Sequence, residues 1–81
     1  MIVRVLLFGH YRDAVPGGVV TLDLAAGATP ATVAALLATR DPRLADLLAR
    51  TRIAVRAEFA AADTVLAEGD ELAFLPPMSG G

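Results

Sequence analysis

The stretch Gly69-Asp70-Glu71-Leu72-Ala73-Phe74-Leu75-Pro76-Pro77-Met78-Ser79-Gly80-Gly81 begins at a turn and ends on a double glycine. Glu71 to Leu75 (ELAFL) alternates as a strand does. Glu71, Ala73 and Leu75 share one side, and Leu72 and Phe74 the other. Pro76-Pro77 ends that strand, because two prolines cannot continue a ladder. The diproline also stiffens the exit and projects the last residues away from the sheet. Gly80 and Gly81 lack Cβ atoms, so they are thin enough to thread a narrow tunnel. Gly81 as the terminal residue presents an unhindered α-carboxylate, which activation as an acyl-adenylate opens to a nucleophile. The competing reading is a frayed tail, since glycine is common at termini.

Working back from this ending, Ile2 to Phe8 (IVRVLLF) is apolar and β-branched, and reads as the first strand. Val3, Val5 and Leu7 point one way; Arg4, Leu6 and Phe8 point the other. Pro16-Gly17-Gly18 is a turn. Val19 to Leu24 alternates, with Val20, Leu22 and Leu24 inward and Thr21 and Asp23 outward. These two strands read as a hairpin. Thr29-Pro30 opens a helix, with Thr as N-cap and Pro at the first helical position. Val33, Leu36 and Leu37 have helical spacing and lead to Arg40. Asp41-Pro42 offers a second start, and Leu44, Leu47 and Leu48 share a face of a short second helix ending near Arg50. Ile53 to Phe59 (IAVRAEF) reads as a third strand with Ile53, Val55, Ala57 and Phe59 on one face. Thr64 to Leu66 reads as a very short strand before the Glu68-Gly69-Asp70 turn. This element order predicts an α+β domain with a mixed sheet of four to five strands on one main helix.

The chain has 81 residues, which allows one domain. Hydrophobic residues make up 56%, too many for disorder. No apolar stretch approaches the roughly 20 residues that span a bilayer. The start lacks a basic n-region and a cleavage site, so the expectation is a cytoplasmic protein without a membrane partner. Cysteine is absent, which removes disulfides, thiolate metal sites and thiol nucleophiles together. A net charge of −2 argues against nucleic acid as a partner. All seven basic residues are arginine. Avoidance of Asn, Gln and Cys is a mild thermophile signal, which codon bias would produce equally.

Side-chain chemistry is sparse. His10 has no acidic partner at a spacing that implies a dyad. Arg12-Asp13 reads as a local ion pair or a partner contact. Asp63, Asp70 and Glu71 lie at turns, where acids are usually solvated. Gly17-Gly18 has no following helix start with Lys or Ser, so it is no phosphate loop. The side chains for an active site are therefore lacking, and the reactive group expected is the backbone carboxylate of Gly81.

The ending FLPPMSGG (residues 74–81), after Glu68-Gly69-Asp70-Glu71-Leu72-Ala73, resembles the small subunit of molybdopterin synthase. That family commonly ends in D-G-D-E-[VL]-A-F-x-P-P-[VM]-[ST]-G-G, and Glu68 stands where Asp is common. The opening is similar too: a strand ending in Phe8, then Gly9 and the aromatic Tyr11 before Arg12-Asp13. Ile53-Ala54-Val55 resembles the family's third strand, which commonly continues with Asn where this chain has Arg56. The resemblance implies a β-grasp, ubiquitin-like fold over residues 1–76 with a flexible tail at 77–81. It implies a sulfur carrier that is itself non-catalytic, the active site lying on the large subunit. An E1-like enzyme would adenylate Gly81 with ATP and Mg, neither bound by this chain. A sulfur donor protein would convert the adenylate to a thiocarboxylate. The tail, thinned at Gly80, would then insert into the large subunit and give sulfur to cyclic pyranopterin monophosphate for molybdenum cofactor biosynthesis. Alternatives are a thiamine-pathway sulfur carrier and a ubiquitin-like protein modifier. The β-grasp likeness also implies that first and last strands are neighbours. Leu6, Phe8 and Leu75 would then form an exposed apolar patch extended by Pro76, Pro77 and Met78. Phe59 joins that patch as a candidate although alternation points it inward. Apolar patches rimmed by charge mark partner sites.

Overall fold

A computed structural model describes residues 1–8, 16–42, 45 and 51–75. Strand β1 is Ile2–Leu7, with Val3, Val5 and Leu7 buried as their alternation requires. Strand β2, Val19–Asp23, pairs antiparallel with β1 and sets Leu22 opposite Val3. The tight turn Pro16–Gly18 leads into β2 with Gly17 at φ 74°. A Cβ there would meet no atom, so the backbone angle and not space calls for glycine.

Helix α1 spans Pro30–Arg40 and starts where the sequence predicts. Thr29 Oγ1 accepts from the Thr32 N–H at 3.3 Å, and the Thr29 N–H donates to Thr32 Oγ1 at 3.1 Å. Both orphan donors are satisfied reciprocally, with threonine in place of the usual Glu. The Asp41 N–H donates to Leu37 O at 2.9 Å and closes the last turn. Pro30, Val33 and Leu37 bury their side chains against the sheet, while Leu36 sits on the flank of that stripe and is exposed. No helix among the described residues is long and apolar enough to cross a membrane.

The region read as one strand from Ile53 to Phe59 is instead a hairpin. Strand β3 is Arg52–Val55 and β4 is Glu58–Phe59, paired antiparallel. The chain reverses at Arg56 and Ala57, both left-handed, at φ 53° and 68°. Neither is a customary turn residue, so the alternating pattern runs straight through the reversal. The reversal exposes Ala57 and Phe59, which alternation places inward. The short strand expected at Thr64 to Leu66 is likewise not there. Those residues form a connection in which Leu66 is buried and its N–H donates to Ala28 O at 2.9 Å. Asp70 also departs from expectation: it is buried, not solvated.

Strand β5, Glu71–Leu75, has the predicted bounds and lies at the centre. It runs parallel to β1 and antiparallel to β3, giving the order β2-β1-β5-β3-β4. Leu72 and Phe74 of β5 are fully buried beneath α1, between Val5 and Leu7 on one side and Val55 on the other. One helix cupped by this mixed sheet is the β-grasp fold. The predicted second helix through Leu44, Leu47, Leu48 and Arg50 lies outside the described residues, as do His10, Arg12 and Asp13. The boundary at residue 76 and the tail beyond it lie outside them as well.

Candidate functional site

The sheet has one face under α1 and one open face. Pairing registers line up a row across the open face through all the described strands. Val19 faces Leu6, Leu6 faces Ala73, Ala73 faces Ala54, and Ala54 faces Phe59. Every member is apolar. The two alanines keep the middle of the row shallow, while its ends stand out: Val19 is 41% exposed and Phe59 64%. Phe8 extends from the end of β1 and is 42% exposed. A hollow of about 240 Å³ lies between Leu6, Phe8 and the Gly17-Gly18-Val19 segment.

Charged residues border this row. On one side Arg4 Nη1 lies 3.3 Å from Glu71 Oε2, with both side chains about half exposed. Such a surface pair adds little stability. On the other side Arg52 stands opposite Leu75, and its guanidinium carbon sits 4.1 Å from the centre of the Phe59 ring. Leu75 is fixed further by Thr51, whose Oγ1 donates to Leu75 O at 2.6 Å. The last residue before the tail is therefore held from two sides.

The start of β5 is set by a buried ion. Asp70 Oδ2 accepts the Ala67 N–H at 2.7 Å, and both carboxylate oxygens lie 2.7 Å from Arg56 Nη1. The Ala67 N–H, with the Arg56 guanidinium beside it, holds the Asp70 carboxyl below its ordinary value, against the opposing effect of burial. The Arg56 N–H donates to Glu71 O at 3.0 Å, so backbone and side chain both tie the β3–β4 turn to β5.

The structure thus gathers Leu6, Phe8, Phe59 and Leu75 on one face. Pro76, Pro77, Met78, Gly80 and Gly81 lie outside the described residues. Sequence reading missed Val19, Ala54 and Arg52. Val19 has the opposite parity to Val20, Leu22 and Leu24, so its outward direction was there to be read. The Arg52–Phe59 contact was not, because it requires the reversal at Arg56-Ala57.

The model of the ThiS family matches residues 5–81. Among solved structures, SAMP1 from Haloferax volcanii is 26% identical with a TM-score of 0.83, and each chain is covered in full. Subunit 1 in the complex of subunits 1 and 2 of molybdopterin-converting factor from Helicobacter pylori has 23% identity, a TM-score of 0.72 and full coverage of both chains. Small archaeal modifier protein 1 from Methanosarcina acetivorans has 23% identity and a TM-score of 0.82, over 99% of this chain and 96% of that one.

Proposed function

The chain belongs to the ThiS family of ubiquitin-like sulfur carriers, and we propose that it is the sulfur-carrier subunit of a molybdopterin synthase. The observation that carries this reading is the ending AFLPPMSGG (residues 73–81), which runs directly on from the central strand. On an E1-like enzyme the Gly81 carboxylate attacks the α-phosphorus of ATP and pyrophosphate leaves. AMP is then the leaving group when sulfide delivered by a donor protein attacks the acyl carbon. The product is a thiocarboxylate, nucleophilic at neutral pH without any cysteine. The tail enters the large subunit, which supplies the active site, and sulfur passes to cyclic pyranopterin monophosphate. Two such cycles build the dithiolene that binds molybdenum. ATP and Mg belong to the activating enzyme, and the setting is the cytoplasm. The apolar row beside the tail's root supports a role in docking to both proteins.

Intact mass tests this directly. Incubation with the E1-like enzyme, ATP, Mg and a sulfur donor should replace one oxygen of Gly81 with sulfur. Addition of the large subunit and cyclic pyranopterin monophosphate should return the carboxylate form and yield molybdopterin. A thiocarboxylate that is formed but never consumed by the large subunit would exclude this pathway.

The likeness to SAMP1 favours one other reading, modification of proteins through Gly81. Conjugates would then appear as isopeptides on lysines of other proteins. Chains of this protein linked through its own lysines are impossible, because it has none.

A further inference from the structure

The two edges of the sheet differ. The edge at β4 is only Glu58–Phe59, short and charged. The edge at β2 is Val19–Asp23, and among the described residues it pairs only with β1. Its sequence VVTLD holds no lysine, proline or bulge, the usual guards of an exposed edge. Its one charge, Asp23, lies 2.9 Å from the Met1 ammonium and is offset by it.

The ladder shows which main-chain groups face outward. The Leu24 N–H donates to Met1 O at 2.7 Å, and the Met1 ammonium donates to Leu24 O at 2.9 Å. Hydrogen-bonded pairs alternate along an antiparallel ladder, so Leu22 and Val20 also turn their N–H and C=O groups to β1. Val19, Thr21 and Asp23 therefore turn theirs away from the sheet.

That pattern is complementary to itself. When two such edges run antiparallel with Thr21 facing Thr21, each Val19 faces Asp23 of the other copy. All the outward groups are then paired, through about six main-chain bonds. A shift of two residues either way leaves some of them unpaired. No charge meets a like charge. On the helix side Val20 meets Leu22 of the second copy. Leu36, 41% exposed, adds apolar surface there, since it lies on the flank of α1 away from the Ala31-Ala34-Ala35-Ala38 side that faces Ile53 of β3.

We propose that the β2 edge is a self-association site, which joins two copies of this chain into one continuous sheet about a two-fold axis at Thr21. A five-residue edge falls short of the roughly 1,200 Å² that stable interfaces bury, so the pair exchanges with monomer. The two β5 strands run in opposite directions in such a sheet, so their Leu75 ends point apart. The pairing is independent of the sulfur chemistry proposed above.

Sedimentation equilibrium from about 10 µM to about 1 mM tests it, the range in which a small interface associates. The mass should rise from monomer toward dimer. Over the same range the amide proton shifts of Val19, Thr21 and Asp23 should move, while those of Val20 and Leu22 stay. Thr21→Glu should weaken association by roughly tenfold or more, because glutamate then faces glutamate across the axis. Within its own chain that glutamate faces Arg4, so unfolding should stay near wild type. Thr21→Lys should weaken association likewise, and an equal mixture of the two variants should restore it. Restoration is specific to an axis at this residue. A chain that stays monomeric at about 1 mM would overturn the proposal and leave the edge to a strand of another protein. Association that Thr21→Glu leaves unchanged, or a mixture no tighter than either variant alone, would overturn it too.

Discussion

Arg56 and Asp70 join the β3–β4 turn to the root of β5: a single guanidinium nitrogen lies 2.7 Å from both carboxylate oxygens. The two residues differ sharply in burial, since the Arg56 side chain is 60% exposed and that of Asp70 5%. Arg56 bridges water and the interior, so its own desolvation is slight. Asp70 is the member that depends on the contact. The pair fastens a turn whose two residues both hold left-handed backbone, and that turn sets where Phe59 points.

Asp70→Asn should destabilise the fold at neutral pH by about 1–3 kcal/mol, the range for a buried group whose partners are mismatched. The amide keeps one acceptor oxygen, but it loses the charge and turns an NH2 donor where the carboxylate has its second acceptor facing Arg56. The pH dependence has a definite sign. The folded carboxyl lies below its ordinary value of 3.8, so the unfolded chain takes up the proton first. The stabilisation is complete above the unfolded value and is lost as pH falls through the folded one. Denaturant melts of wild type and Asp70→Asn should therefore converge in acid and separate toward neutrality. Parallel profiles would show that Asp70 is not linked to folding.

Ala57→Gly should stabilise. A non-glycine residue in the left-handed region costs about 1–2 kcal/mol, and glycine returns part of that gain through its larger unfolded entropy. The net expectation is a gain of about 0.5–1 kcal/mol by chemical denaturation. Arg56→Gly relieves the same kind of strain but should still destabilise, because it leaves Asp70 buried with only the Ala67 N–H. If Arg56→Gly gains stability as Ala57→Gly does, the ion pair does not hold the turn.

The contrast between these positions shows what the sequence disclosed. The start of α1 was legible because Thr29 and Pro30 act locally, through one side-chain oxygen and one ring. The bounds of β5 were legible because its alternation is strict and prolines come directly after it. The β3–β4 turn was hidden, because the group that stabilises it is Asp70, 14 residues further along. The alternating pattern across Arg56-Ala57 then pointed Phe59 the wrong way. Half of the open face is legible from Leu6, Phe8 and Leu75 once β1 and β5 are neighbours. The rest needed the registers, which join residues far apart in the chain, such as Arg4 and Glu71.

Phe8→Ala should separate docking from stability. At 42% exposed, Phe8 has given up only part of its surface to the fold. Its removal should cost less than the ~3–5 kcal/mol typical of a buried phenylalanine. Binding to both the activating enzyme and the large subunit should weaken by about 1–2 kcal/mol, as for one aromatic anchor. Because both would use the same face, each partner should displace the other in a competition titration. Unchanged affinities together with a large loss of stability would return Phe8 to the core and remove it from the docking face.

Changes at Gly81 should abolish function and spare the fold. The ladder of β5 ends at Leu75, so one residue added after Gly81, or its deletion, touches none of the pairings of β5 with β1 and β3. An added residue moves the carboxylate one peptide further and gives its α-carbon a side chain, so the attacking oxygen no longer meets the α-phosphorus of ATP in line. Unfolding curves should therefore superimpose on wild type while no thiocarboxylate forms. Gly80→Ala should fold equally well and still become adenylated, but pass its sulfur slowly, since a Cβ narrows the clearance of a threaded tail. Single-turnover transfer to the large subunit resolves the two effects: the extended chain fails at activation, and the Gly80→Ala chain at delivery. Normal thiocarboxylate formation by an extended chain, with intact mass showing that it has not been trimmed back to Gly81, would overturn the carboxylate mechanism.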